Sequence, residues 1–172
     1  MPIHIEPLIG PTYEARYDAN ESISYIKYKG TLTSEITAAV YRWMGAALKE
    51  VGAHKEELFG KGGCIIDFTN VTGYDVENLA TARSKSISMR LEQSEAVSDV
   101  PTALLVKTMD QEIMAQTSMQ LAKQGKNPRV KIVKSEREAK KFIEEWWQHK
   151  KEQMAAQPVP PAETPPVTPA QS

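Results

Sequence analysis

Three short apolar runs, each followed by a helical pattern with its own start signal, constrain the fold of this chain most. The runs are CIIDFT, TALLVKT and RVKIVK. The first two are almost continuously apolar, which is typical of strands covered on both faces, whereas the third alternates and predicts an outer strand. Because each connection is long enough to contain a helix, neighbouring strands are expected to run parallel, with helices on the faces of the sheet.

The helical patterns predict which residues face inward. Asp75 is placed to cap the first helix, and capping boxes begin at Thr108 and Ser135. Of the adjacent Trp146 and Trp147, one ring is expected in the core and the other at the surface, where it would mark a contact patch. The predicted inward-facing residues are Val76, Leu79, Ala80, Arg83, Ile87 and Leu91 in the first helix, Ile113, Met114, Thr117 and Leu121 in the second, and Ala139, Phe142, Ile143 and Trp146 in the third.

The N-terminal part of the chain adds an antiparallel component. TYEARYD and ISYIKYKG are separated by turn-forming residues 18–21, which predicts a hairpin. A helix capped by Thr33 or Ser34 follows, with an apolar stripe from Ile36 to Val51 and a stop at Gly52. The expected fold is therefore α/β, with a mixed five-stranded sheet and four main helices.

Composition changes set the predicted domain boundaries. Residues 1–11 are assigned to an N-terminal extension, and residues 12–150 to a single α/β domain. Residues 151–172 are predicted to be a disordered tail, because the segment from residue 153 onward holds six of the eleven prolines and no aromatic residue. Such a segment buries too little apolar surface to offset the entropy of ordering it.

Charge, cysteine content and hydropathy exclude several classes of protein. A formal net charge of -1 offers no electrostatic argument for a nucleic-acid partner. The single cysteine, Cys64, excludes an intramolecular disulfide framework and fits a reducing compartment. No apolar stretch approaches the roughly 18 residues that span a bilayer, and the N-terminus lacks a signal pattern. We therefore expect a cytoplasmic protein without an integral membrane segment.

Residue patterns for catalysis or cofactor binding are absent from the sequence. No phosphate loop, dinucleotide-binding glycine pattern or nucleophile elbow is present, and His4, His54 and His149 are scattered. We expect no catalytic residue, no metal site and no cofactor. Cys64 is predicted to be a small buried residue, and Asp67 to be satisfied by a neighbouring amide or hydroxyl. An enzyme would instead need Asp67 or Cys64 to face solvent beside a base such as His54.

Several short motifs resemble those of a known family. GTLT after the hairpin, IIDFTNVTGYD and the last helix SEREAKKFIEEW together resemble the STAS domain (sulfate transporter and anti-sigma factor antagonist), in particular its divergent STAS-like bacterial branch. The resemblance covers residues 13–147 and implies a regulatory, anti-sigma factor antagonist-like function. Asp67, Thr69 and Asp75 fall in register with the family pattern. Val76 stands where the family carries its phosphorylatable serine, and valine has no hydroxyl to modify.

The leading prediction is a non-enzymatic STAS-like module that binds an unidentified protein partner. The alternative is a small-ligand domain, because the resemblance also implies nucleotide or lipid binding, in a pocket at the carboxyl ends of the parallel strands beneath the first two helices. A homodimer stays open. TNVTGYD is predicted to be a loop at those strand ends, and the predicted binding surface around it consists of Thr69, Asn70, Thr72, Tyr74, Asp75 and Asn78.

Overall fold

One six-stranded sheet, with its strands in chain order, organises the protein. The computed structural model describes residues 3–54, 56–78, 80–81, 84–85, 100–119 and 128–158. The predicted α/β class, with an antiparallel start followed by parallel strands, is confirmed. In chain order the elements are β1 (Leu8–Ile9), β2 (Tyr13–Asp18), β3 (Ile23–Leu32), α1 (Ser34–Ala53), β4 (Gly63–Tyr74), β5 (Thr102–Leu105), α2 (Met109–Met119), β6 (Val130–Val133) and α3 (Glu136–Ala155).

The helix predicted to follow Asp75 begins at Val76. Its described residues, 76–78, 80–81 and 84–85, are helical. Of the inward-facing residues predicted for the helices, Leu79, Arg83, Ile87, Leu91 and Leu121 lie outside the described residues.

The hairpin of β2 and β3 forms as predicted. The Asp18 carboxylate accepts hydrogen bonds from the backbone N–H groups of Asn20, at 2.9 Å, and Glu21, at 3.1 Å. A side chain that binds the backbone two and three residues later stabilises a tight turn. β2 then pairs with β3 in antiparallel register, and β3 pairs in parallel with β4.

The sheet has one strand more than predicted. β1 pairs antiparallel with β2 through Leu8–Ala15 and Ile9–Glu14, within residues assigned from the sequence to an extension. A two-residue strand between Pro7 and Pro11 shows no periodicity that a sequence pattern could detect. The Trp43 indole N–H on α1 also donates to the Glu6 carbonyl at 2.8 Å, so this segment is held on the domain.

Two apolar cores cover the two faces of the sheet. The first is formed by alternate residues of β4, Cys64, Ile66 and Phe68, together with strand neighbours and side chains of α1 and α2. The second includes Ile65 and packs against α3. β4 is therefore buried on both faces, as its continuous apolar run predicts.

Helix α3 is longer than predicted and covers the second face of the sheet with one more buried residue. Ser135 caps it as expected, and Ala139, Phe142, Ile143 and Trp146 are buried. The prediction that one ring of the tryptophan pair lies at the surface is wrong. Trp147 is also buried in the second core, at 9% exposure, and its indole N–H donates to the Gly62 carbonyl at 2.7 Å. α3 continues to Ala155, past residue 150 where the domain was predicted to end.

None of the helices in the described part of the chain is long and apolar enough to cross a membrane.

Candidate functional site

Strand β4 extends through the segment that was predicted to be a loop. Its last pair with β5 is Asp67–Leu105, and the strand then continues to Tyr74 beside β3. The loop predicted for TNVTGYD is therefore wrong for residues 69–74. Asn and Gly disfavour strands in isolation, but hydrogen bonding to a long neighbouring strand overrides that preference.

Two bulges change the direction of side chains along this extension. Lys27 pairs with Asp67, whereas two residues later Lys29 pairs with Asn70. A second extra β4 residue, Thr72, lies between the partners of Gly30 and Thr31. Gly30 has a φ of +74°, a conformation that side-chain-bearing residues rarely adopt. Bulges strengthen the local twist and re-aim side chains, so simple alternation does not predict which residues here face out.

Asp67 and Thr69 are joined by two hydrogen bonds. One Asp67 carboxylate oxygen accepts from the Thr69 backbone N–H at 2.8 Å and from the Thr69 hydroxyl at 2.6 Å. This confirms the prediction that a neighbouring amide and hydroxyl serve Asp67. Thr69, a residue of the predicted surface, is half-buried and turns its hydroxyl toward Asp67. In the described ranges no three His, Cys, Asp or Glu side chains are grouped to hold a metal ion.

Asp75 caps the helix that follows, as predicted. Its carboxylate accepts from the Asn78 backbone N–H at 2.6 Å, and its own N–H donates to the Leu32 carbonyl at 3.2 Å. Asn78 was placed on the surface from the sequence, but its side chain is 2% exposed. Its amide oxygen accepts a hydrogen bond from the Thr37 hydroxyl on α1, so Asn78 lies beneath the surface and supports it.

Several side chains at and just after the end of β4 are exposed to solvent. Asn70, Thr72 and Tyr74 are exposed, as the predicted surface requires. Val76 is 82% exposed, so its assignment to the inward stripe is wrong. Asn78, two positions along the helix, is the residue that faces inward. We call Asn70, Thr72, Tyr74 and Val76 the β4 rim.

Helix α2 departs from its predicted phase in the same way. Ile113 was predicted to face inward but is 49% exposed, and Met109 is 69% exposed. Thr117, also predicted inward, is exposed. The buried positions are Met114, Ala115 and Gln111, which is 6% exposed. The buried face of α2 therefore keeps the predicted Met114 but includes Gln111 and Ala115 in place of Ile113 and Thr117. Ala80 in the preceding helical segment, also predicted to face inward, is exposed.

Gln111 links the start of α2 to the β4 rim. Its side-chain N–H₂ group donates to the Thr69 carbonyl at 3.2 Å and to the Val71 carbonyl at 3.0 Å. Its side-chain oxygen accepts from the backbone N–H groups of Lys107, at 2.7 Å, and Thr108, at 3.2 Å. The predicted capping box at Thr108 is confirmed, since the Thr108 hydroxyl accepts from the Gln111 N–H at 3.2 Å.

Cys64 and His54, two of the side chains that the enzyme alternative would need, do not lie on the β4 rim. Cys64 is buried, and removal from water raises the pKa of its thiol to about 12. A group with that pKa is almost entirely protonated at neutral pH and is a poor nucleophile. His54 lies at the C-terminal cap of α1, where its Nδ1 atom is 3.7 Å from the Glu57 carboxylate.

A small cleft lies on the α3 face of the sheet. Its lining includes Arg16, Tyr25, Lys27, Asp67 and Glu136, and its volume is about 130 Å³. The Arg16 guanidinium stacks over the Tyr25 ring at 4.5 Å. The ligand alternative placed its pocket beneath the first two helices, on the opposite face.

Two solved structures are similar in fold to this chain. One is an uncharacterized protein of the DUF3478 family with a SpoIIAA-like fold from Shewanella loihica PV-4, at 14% identity, covering 76% of this chain and 91% of that one, with a TM-score of 0.47. The other is the anti-sigma factor antagonist SpoIIAA in its unphosphorylated form, at 12% identity, covering 84% and 99%, with a TM-score of 0.45. No family model and no curated protein matches the chain.

Proposed function

We propose that this chain is a non-enzymatic regulatory module that binds a protein partner at the β4 rim. The observation that carries the proposal is where apolar side chains are exposed. Concentrated exposed apolar groups beside polar ones are typical of a protein-binding surface. Of the seven large hydrophobic side chains that are exposed among the described residues, four lie on the β4 rim or in the first turns of α2: Tyr74, Val76, Met109 and Ile113.

The partner is bound without a covalent switch at the start of the helix. Val76 stands at the position where the STAS resemblance implies a phosphorylatable serine, and its side chain is open to solvent. Valine offers no oxygen to a phosphoryl donor. Docking is therefore set by the shape and polarity of the rim.

Affinity capture from the source cells, followed by mass spectrometry, tests the rim. We expect Tyr74→Ala and Asn70→Ala each to lower recovery of a partner by about tenfold, the effect of removing one strong interface contact. Met154→Ala is the matched control, because Met154 is 51% exposed but lies in the last turn of α3. Equal recovery with all four proteins would remove the rim from consideration.

Modification of native protein gives a second test. Mass spectrometry of protein purified from its own cells is expected to show no stoichiometric phosphorylation on Thr72 or Tyr74. Stoichiometric phosphorylation of either hydroxyl that abolished partner capture would contradict the proposal of docking without a covalent switch.

The alternative of a nucleotide or lipid site at the carboxyl ends of the parallel strands stays a prediction. The cleft beside Tyr25 and Asp67 lies on the other face of the sheet and measures about 130 Å³, less than the roughly 300–1,000 Å³ typical of pockets for small organic ligands. A thermal-shift panel of nucleotides and lipids tests it directly. A ligand at 100 times its dissociation constant would add about 2.7 kcal/mol to the free energy of unfolding. Because the leading proposal is a protein partner, we expect no compound on the panel to raise the melting temperature.

A further inference from the structure

Past the end of β5, two carbonyl groups of β4 are bound by a side chain from a helix. The Gln111 side-chain N–H₂ group reaches the carbonyls of Thr69 and Val71, which flank Asn70 of the β4 rim. This part of β4 also carries its two bulges, where the hydrogen-bonded ladder with β3 is interrupted. The backbone conformation of the rim therefore depends on Gln111 as well as on pairing with β3.

The two ends of the Gln111 amide have different partners. The oxygen accepts two backbone N–H groups at the start of α2, and the nitrogen donates to two carbonyls of β4. All the hydrogen-bonding capacity of this buried amide is used, which is the condition for a buried polar group to order its surroundings. One substitution can therefore remove the β4 contacts while it keeps the contacts within α2.

We infer that Gln111 is the positioning residue of the β4 rim, an inference that rests on the proposed function. Its N–H₂ group holds residues 69–71 in the bulged path that aims Asn70 and Thr72 outward, and partner binding depends on that path. Gln111 itself is 6% exposed and does not touch the partner.

Gln111→Glu separates the two roles. The substitution keeps an oxygen that can accept from Lys107 and Thr108 but places a second oxygen against the carbonyls of Thr69 and Val71. We expect hydrogen exchange of the backbone amides in residues 69–74 to accelerate by about tenfold or more, because loss of one buried and one partly buried hydrogen bond lowers the local opening free energy. Exchange in α3 is expected to stay unchanged. Gln116→Glu, on the exposed side of α2, is the matched control and is expected to leave both regions as in wild type.

Partner capture with a second control distinguishes positioning from general destabilisation. Met114→Ala empties a core position on the same helix, where Met114 is 1% exposed, without removing a bond to β4. At a temperature where circular dichroism shows every variant folded, Gln111→Glu is expected to lower capture about tenfold and Met114→Ala to leave it unchanged. Equal losses in both variants, or unchanged exchange of residues 69–74 in Gln111→Glu, would overturn the inference. If Tyr74→Ala loses the partner while Gln111→Glu keeps it, the inference fails and the proposed function stands.

Discussion

Two buried amides determine which side chains of the candidate site reach solvent. Asn78 accepts a hydrogen bond from Thr37, and Gln111 binds carbonyls of β4. Each amide occupies an inward position of its helix, so Val76 and Ile113 nearby face outward. Buried amides are stable only where their donors and acceptors have partners, and the neighbouring strand and helix supply these partners.

The Thr37–Asn78 contact predicts a specific stability cycle. Thr37→Val keeps the shape of the side chain but leaves the Asn78 oxygen buried without its donor, so we expect the free energy of unfolding to fall by about 1–3 kcal/mol. Thr37→Val combined with Asn78→Leu should cost less than the sum of the two single changes, because no polar atom of the pair is then left unsatisfied. Urea denaturation measures all three variants. Thr117→Val, at an exposed position, is the control and should change stability by less than about 0.5 kcal/mol.

Cys64 offers a test of burial by chemical reactivity. With the pKa of its thiol raised to about 12, the thiolate fraction at pH 8 is about 10⁻⁴, and the sulfur is also closed to solvent. We expect a colorimetric thiol reagent to leave native protein unlabelled over minutes at pH 8 and to label the urea-unfolded protein at once. Native labelling at a rate close to that of the unfolded sample would contradict the burial of this side chain.

At the scale of elements, strand β4 shows which structural features a sequence pattern can predict and which it cannot. Its first half is a continuous apolar run, so both its strand character and its burial follow from the sequence. The extension through Asn70 and Gly73 depends on pairing with β3, which involves residues distant in sequence.

The difference between local contacts and contacts with distant residues also explains how much of the candidate site could be predicted from the sequence. The Asp75 cap and the hydrogen bonding of Asp67 to a neighbouring amide or hydroxyl are local and were predicted, although the sequence did not identify Thr69 as the donor. The exposure of Val76 and the burial of Asn78 depend on α1, which lies elsewhere in the chain.

The close approach of β4 to α3 predicts an asymmetric response to two glycine substitutions. A Cβ atom added at Gly63 would lie 2.7–3.0 Å from three side-chain atoms of Ile143, whereas one added at Gly73 meets only the Thr31 hydroxyl at 3.7 Å. Gly63→Ala is expected to lower the free energy of unfolding by about 1–3 kcal/mol through overpacking. Gly73→Ala is expected to be neutral within about 0.5 kcal/mol.

A second substitution, at Ile143, tests whether contact with this side chain causes the loss of stability in Gly63→Ala. Ile143→Val removes the Cδ1 atom, which is the nearest contact at 2.7 Å. In the Gly63→Ala background it should therefore cost less than it does alone, as measured by chemical denaturation. Strict additivity of the two changes would show that the loss at Gly63 arises from backbone conformation and has no origin in this contact.

At the scale of the whole molecule, the sheet places its carboxyl-end features together. β3 to β6 run parallel, so the β4 rim and the start of α2 lie at the same edge of the sheet. Trp147 and Gly62, at the amino end of β4, lie at the opposite edge and close the domain. The proposed binding surface and the Trp147–Gly62 contact are thus at opposite ends of β4, so substitutions on the rim leave that contact in place.

The two ends of the chain are expected to contribute unequally to stability. Deletion of residues 1–11 removes β1, the packing of Leu8 on the first core and the Glu6 carbonyl that binds Trp43. We expect the melting temperature to fall by about 5 °C or more, which corresponds to about 2 kcal/mol for a domain of this size. Deletion of residues 159–172 starts beyond the end of α3 at Ala155 and is expected to leave the melting temperature unchanged.

Point substitutions in β1 separate packing from chain length. Leu8 packs against the first core, whereas Ile9 is 74% exposed. Leu8→Ala should therefore reproduce part of the loss seen on deletion of residues 1–11, and Ile9→Ala should not, because only the first change removes buried apolar contact. Differential scanning calorimetry compares all four proteins with wild type. Equal melting temperatures for the two point variants, together with a neutral deletion of residues 1–11, would show that β1 adds nothing to the stability of the domain and that the boundary at residue 12 is sufficient.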